Sequence, residues 1–298
     1  MLKRITQLLS VFFAAGALTL MVNTIALASA APIQVHSYDE VDSRLHDAMT
    51  NHTEQIQMEV FAPATDINKS IGDIRAKLYH FGDYSAFTHK YISWEWDKFS
   101  SEHFSITFSI TYFETAEQAA YVDQVARKTV SEITTPQMDE HQKVKVIHDW
   151  IVSKLEYDYD LNQYSAYAGL VDPYKTVCQG YSLLASKMFD YAGIKNKIIF
   201  GYLKNNEKTT HSWNLVQLDD LWYHVDLTWD DTSNSYTYYN LTDEQIKLSR
   251  TWNPEYYPAA SSEYREELKK KHKAGKNGLD FLRLGQLYRS IYKQSVND

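Results

Sequence analysis

The 298-residue chain has one cysteine, six prolines and ten glycines, and its 38 acidic side chains outnumber 30 basic ones. Each shortage excludes something. A single cysteine cannot close an intramolecular disulfide, so packing alone must hold the fold. With no cysteine pair and no HExxH pattern, no metal site is expected. A net charge of −8 lacks the basic face that phosphate binding needs, so no nucleic-acid partner is expected. There is no low-complexity tract and no internal repeat. Beyond the first thirty residues, no stretch is apolar enough to span a bilayer.

Those thirty residues set the compartment. Lys3 and Arg4 precede the apolar run "LLSVFFAAGALTLMVNTIALA", and Ala28-Ser29-Ala30 supplies a small-residue cleavage site. This is the pattern of a secretory signal. A secreted or extracytoplasmic protein, facing the cell surface, is expected, with a membrane contact only if the leader stays uncleaved. The leader holds two basic and no acidic residues, so cleavage after Ala30 moves the net charge from −8 to −10.

Residues 31–134 read as a small mixed α/β module. "IQMEVFA" (56–62) alternates Ile56, Met58 and Val60, the period of a half-buried strand, whereas Ile67, Ile71, Ile74 and Leu78 fall at helical spacing. "YISWEWD" and "FSITFSITY" alternate in the same way and suggest an antiparallel pair. On that pattern Trp94 and Trp96 share a sheet face. Thr115 with Gln118 makes a capping-box pattern for the helix that follows. Thr135-Pro136 then predicts a second helix start, and its stripe is Val144, Ile147, Ile151 and Leu155. A Tyr-rich loop follows, carrying Tyr157, Tyr159, Tyr164, Tyr167 and Tyr174. The next helix should run from near Cys178 to Ala192, with Gly193 as a left-handed terminator. Strands are expected at 197–203, 211–218 and 221–229, the last two flanking a tight turn at Asp219-Asp220. Residues 241–298 read as a helical extension, locally basic at "KKKHKAGK".

A lone cysteine is most often a small buried hydrophobe. Cys178 stands, however, directly at a predicted helix start. There the positive end of the helix dipole favours the thiolate, which is the nucleophilic form. A thiolate nucleophile also needs a base within reach and a group that orients the base. With a two-residue turn, Leu218 faces Leu221, and every cross-strand pair sums to the same odd number. His211 and Asp226 then become diagonal neighbours on one face. A three-residue turn would put them on opposite faces. His224 shares that face and competes as base. His148, beside Asp149, reads as packed or solvent-facing.

"VCQGYSLLASKMFDYAGI" followed by "HSWNLVQLDDLWYHVDLTWDD" resembles the core of the transglutaminase-like superfamily, in the branch found in exported bacterial proteins. The resemblance rests on three ordered motifs: a cysteine segment, an H-x-W-N strand and a W-Y-x-V-D-x-T-W-D strand. It covers about Asp139 to Asp231. Two positions depart from the family pattern: Thr176 stands where glycine is common, and Asp219-Asp220 where Asp-Gly is common. The resemblance implies an α+β fold in which a nucleophile helix packs on an antiparallel sheet, as in papain and transglutaminases. That core would occupy residues 135–240. The implied roles are nucleophile for Cys178, base for His211 and orienting residue for Asp226.

These residues lead to acyl transfer at a peptide or carboxamide bond, with no cofactor. The backbone N–H of Cys178 is a candidate oxyanion donor, and Gln179, Tyr164, Tyr167 and Trp213 are candidate oxyanion or substrate residues. The expected partner is a protein, peptide or cell-wall peptide substrate. Water as acceptor would make a peptidase or amidase, and an amine acceptor a crosslinking enzyme. A catalytically silent surface-binding module on the same fold is the competing reading.

Overall fold

The computed structural model describes residues 32–274 together with Leu287 and Ile291. The expected leader and most of residues 275–298 lie outside the described residues. The first part of the chain is β1 (Ile33–Val35), α1 (Tyr38–Thr50), β2 (Gln55–Val60), α2 (Ile67–Lys77), α3 (Tyr84–Thr88), β3 (His89–Lys98) and β4 (Phe104–Tyr112). Its strands make a sheet in the order β1-β2-β4-β3, with β1 parallel to β2 and the other pairs antiparallel. The alternating apolar residues face one core: Met58, Val60, Phe104, Ile106 and Phe108 are fully buried against Ile71 and Leu78. Trp94 and Trp96 do share a face, and both indoles donate to Asn68 Oδ1, at 3.2 and 3.0 Å.

The second part runs α4 (Ala116–Ile133), α5 (Glu140–Lys154), β5 (Glu156–Tyr157), α6 (Ala166–Leu170), β6 (Lys175–Thr176), α7 (Cys178–Ala192), β7 (Asn196–Leu203), β8 (Asn206–Leu218) and β9 (Leu221–Val225). It continues with α8 (Leu227–Ser233), α9 (Asp243–Ile246), β10 (Arg250–Thr251) and α10 (Tyr264–Ala274). The main sheet has the order β10-β7-β8-β9 and is antiparallel throughout. Helix α7 packs on it through Leu184, Met188 and Phe189, which share a core with Ile198, Val216, Leu218, Tyr223 and Val225. The fold is therefore α+β: a helix that begins at Cys178 lies on an antiparallel sheet, behind a small mixed α/β module.

Three local expectations change. Helix α5 starts at Glu140, because Asp139, not Thr135, caps it and makes a reciprocal box with Gln142. Helix α4 falls within the span expected for the N-terminal module, yet its Val122, Ala126 and Val130 lie in the same core as α5 and α7. The C-terminal region is not helical alone. Arg250-Thr251 pairs with Tyr202-Leu203 as the edge strand of the main sheet, a strand too short to leave a periodic signal.

The β8–β9 hairpin closes on two residues. Leu218 pairs with Leu221 and Leu215 with His224, the register expected from the sequence. Asp219 and Asp220 both take positive φ, 49° and 63°, as a type I′ turn requires. Neither is glycine, so the turn is held from outside. His141 Nε2 lies 2.8 Å from Asp219 Oδ2, Lys271 donates to both Asp219 oxygens, and the Asp219 N–H donates to Glu140 Oε2 at 2.9 Å.

Candidate active site

Why does Cys178 arrive at His211? Helix α7 is fixed along β8 by two polar contacts in the core. Asn214 Nδ2 donates to the Ser182 carbonyl at 3.0 Å, and Ser182 Oγ lies 3.2 Å from Ser212 Oγ. The Asn214 of the H-x-W-N strand therefore works as a spacer that sets the helix against the strand. In front of the helix, Thr176 is fully buried, and its hydroxyl donates to the carbonyls of Ser165 at 3.0 Å and Gln163 at 3.2 Å. The departure from glycine at this position thus pins the Tyr-rich loop. Gly180 is required beside it. A Cβ there would stand 2.0 Å from Thr176 Oγ1 and 2.6 Å from the Ser165 carbonyl, closer than side-chain atoms approach.

The thiol is half-buried at the first residue of α7. The His211 ring and the backbone and hydroxyl of Ser212 act on its charge. Loss of solvation raises the thiol, but these groups outweigh it and hold Cys178 below its ordinary value. His211 Nε2 lies 2.7 Å from Asp226 Oδ2, with both side chains buried. That leaves Nδ1 for the thiol. Burial opposes the imidazolium, but the Asp226 carboxylate and Cys178 raise His211 to about 9. A depressed thiol facing an elevated imidazole favours a thiolate–imidazolium pair near neutral pH.

Asp226 departs from its expected setting. The strand predicted through residue 229 stops at Val225, and "DLTWDDTS" turns into α8 with Asp226 as its N-cap. The alternation of Val225, Leu227 and Trp229 mimics a strand, but the Asp226 carboxylate is better used as a cap. Oδ1 accepts the Trp229 N–H at 3.3 Å, which leaves Oδ2 for His211.

Asp226 Oδ2 has a further partner that the sequence did not suggest. Arg250, fully buried on β10, donates to it through Nη2 at 2.6 Å and Nε at 3.1 Å. Its guanidinium also sits 4.1 Å from the Trp229 ring centroid and 4.9 Å from that of Tyr238. Burial raises the Asp226 carboxyl, and the His211 and Arg250 charges together hold it below its usual range.

The other expected residues separate. His224 is not free to act as base: Nδ1 accepts the Trp213 indole N–H at 2.9 Å and Nε2 donates to Asp243 Oδ1 at 2.8 Å. Burial pulls it below the ordinary histidine value. Trp213 is 1% exposed, so it supports the His211 ring from inside the core and offers no surface to a substrate. Gln179 donates its amide to the Phe87 carbonyl at 2.7 Å, a tether from α7 to α3. Tyr167 packs edge-on against Tyr121 of α4, and Tyr164 stacks on Phe113 at 5.0 Å. Among the loop tyrosines it is Tyr157 that senses the thiol: burial and the Cys178 charge push its hydroxyl up to about 12. His148 packs in the core and does not face solvent. It is buried between Asp149 at 3.1 Å and Asp230 at 3.2 Å, and so ties α5 to α8, the helix that Asp226 caps.

Residues 127–227 match the family model of the transglutaminase-like superfamily. The chain is 28% identical over 170 residues to the kyphoscoliosis peptidase of Mus musculus, which covers 49% of this chain and 25% of the relative. The Homo sapiens protein of the same name is 28% identical over 156 residues, 46% of this chain and 23% of the relative. The chain thus spans about a quarter of the length of these relatives. Among solved structures, the periplasmic domain of TgpA from Pseudomonas aeruginosa is similar at a TM-score of 0.31 and 13% identity, over 48% of this chain and 65% of that one. Over residues 127–227, this chain is thus similar to the transglutaminase-like superfamily.

Proposed function

We propose that this protein is an exported cysteine acyl-transfer enzyme acting on peptide or carboxamide bonds through Cys178, His211 and Asp226. The observation that carries the reading is the chain of contacts Cys178–His211–Asp226 at the start of α7, with His211 Nε2 2.7 Å from Asp226 Oδ2. A packing cysteine needs no hydrogen-bonded histidine, and a binding module needs no carboxylate behind it.

The chemistry follows from the charges. The Cys178 thiolate attacks the carbonyl carbon, and the carbonyl oxygen takes the negative charge. The backbone N–H of Cys178, at the helix start, is the candidate donor to that oxygen. As the C–N bond breaks, the His211 imidazolium gives its proton to the leaving amine, and a thioester remains on Cys178. His211, now neutral, takes a proton from the incoming water or amine, whose attack releases the acyl group and restores the thiol pair. Asp226 stays ionised throughout and holds the ring. Water as acceptor gives hydrolysis, which is our preferred outcome, and an amine gives crosslinking. The leader pattern in the sequence supports export, and N-terminal sequencing should find the mature chain starting near Ala31.

The test is intact-mass analysis during turnover of a mixed pool of glutamine- and asparagine-containing peptides. The reading expects an acyl adduct on Cys178 that is absent in Cys178→Ala. Turnover that survives in Cys178→Ala would refute it.

A further inference from the structure

A concavity of about 970 Å³ among the described residues is separate from the thiol site. It lies between α2, the start of β3, β7 and the segment that follows β10. Its walls are rings: Tyr79, Phe200 and Trp252 line it, and Tyr91, Tyr202 and Tyr256 stand 61%, 38% and 40% exposed there. Exposed aromatics gathered around one concavity are unusual on a protein surface and mark a place where something binds. Its charge is equally distinctive. The chain is acidic overall, yet among the described residues no aspartate or glutamate lines this groove, whereas Arg75 and Lys90 do. Neither cation joins an ion pair among the described residues. His89, also at the groove, is held by burial at about 4 and stays neutral.

The groove adjoins the thiol through strand pairing. Phe200 pairs with Ser212, which acts on the Cys178 charge, and Gly201 pairs with His211. Paired residues share a face and neighbouring strands lie about 4.8 Å apart. The Phe200 wall of the groove is therefore one strand from the nucleophile, on the side of the sheet that carries α7.

We propose that this groove binds an acidic, ring-bearing peptide segment of the substrate and so selects acidic peptides for the thiol. Its rings stack on the tyrosines, and its carboxylates meet Arg75 and Lys90. The proposal rests on the acyl-transfer reading for its purpose, but the binding itself is separately measurable.

Gly72 provides a clean probe. It lies in the middle of α2 and lines the groove, and a Cβ built on it meets nothing within 4 Å. A larger side chain therefore projects into open groove, and replacing glycine inside a helix favours the helix. Binding to the random copolymer of glutamate and tyrosine, and to that of lysine and tyrosine, is measured by biolayer interferometry. The wild type should bind the acidic copolymer and not the basic one. Gly72→Ala should bind like the wild type. Gly72→Trp, which fills the groove, and the double variant Arg75→Glu/Lys90→Glu should each bind about tenfold or more weakly, the loss of roughly one decade in Kd. Circular dichroism checks that each variant is folded. Equal binding of both copolymers, or unchanged binding by Gly72→Trp, overturns the proposal. Iodoacetamide alkylation of Cys178 at pH 6.5 in the same wild-type sample separates the two readings. Alkylation without copolymer binding rejects the groove and keeps the thiol chemistry, and the reverse rejects the thiol chemistry and keeps the groove.

Discussion

Replacing Arg250 by methionine keeps most of the side-chain length and removes the charge. The guanidinium gives Asp226 Oδ2 two hydrogen bonds, 2.6 and 3.1 Å long, and both partners are fully inaccessible to solvent. Solvent screening is therefore slight. Removing one member of a buried pair costs about 3–5 kcal/mol, because the other charge stays buried without compensation. The catalytic consequence is more specific. With Arg250 in place, Asp226 and Arg250 cancel, and a proton moved from Cys178 to His211 leaves the site neutral overall. Without it the site holds one uncompensated negative charge. A second anion at Cys178 becomes harder to form, and the imidazolium beside Asp226 becomes harder to discharge.

Both pKa values should consequently rise in Arg250→Met. If the loss equals one charge-assisted bond, about 1.5–3 kcal/mol, each limb of the pH–rate profile moves alkaline by about one to two units. Acidic-side reactivity is lost and alkaline-side reactivity gained. The assay is the iodoacetamide rate from pH 5 to 10, read beside a thermal melt. Arg250→Lys should recover part of the shift, because it restores the charge but not the two-pronged geometry. A lowered melting temperature with both limbs unmoved would refute the reasoning and leave Arg250 a packing residue.

Two other outcomes follow from the same geometry. Gly180→Ala drives a methyl into Thr176 and the Ser165 carbonyl, so it should destabilise the protein by about 1–3 kcal/mol, as overpacking does, and lower its melting temperature. His224→Gln should leave the pH dependence of Cys178 alkylation in place while lowering stability by about 1–3 kcal/mol, since it removes buried hydrogen bonds to Trp213 and Asp243 and no base. A collapse of alkylation at pH 7 in a folded His224→Gln would move the base away from His211.

The sequence was most legible where a local rule had one solution. A two-residue turn dictates parity, so placing His211 and Asp226 on one face required no knowledge of the rest of the chain. Gly193 ends α7 at φ 75°, as a glycine after an apolar helical stripe foretells. Arg250 could not be read in the same way. It sits on a two-residue strand, 24 residues beyond its partner, and nothing local distinguishes it from a surface arginine. Asp226 was placed on the correct face for an incomplete reason, because its capping role competes with a strand-like alternation. Trp213 and Gln179 flank the motif residues in sequence, but the core and α3 claim their side chains.

The central claim is that Cys178 exists as a thiolate paired with the His211 imidazolium. Its depressed thiol and the His211 value of about 9 define a window. The pair forms as pH rises through the Cys178 pKa, below the free-thiol value of about 8.5, and is lost as pH rises through that of His211. The most direct measurement is the iodoacetamide rate of Cys178 against pH in the wild type and in His211→Ala. The account predicts a wild-type inflection well below that of a free thiol, displaced upward by about one unit or more once the imidazolium is gone. An inflection at or above the free-thiol value in the wild type, unchanged in folded His211→Ala, would contradict it.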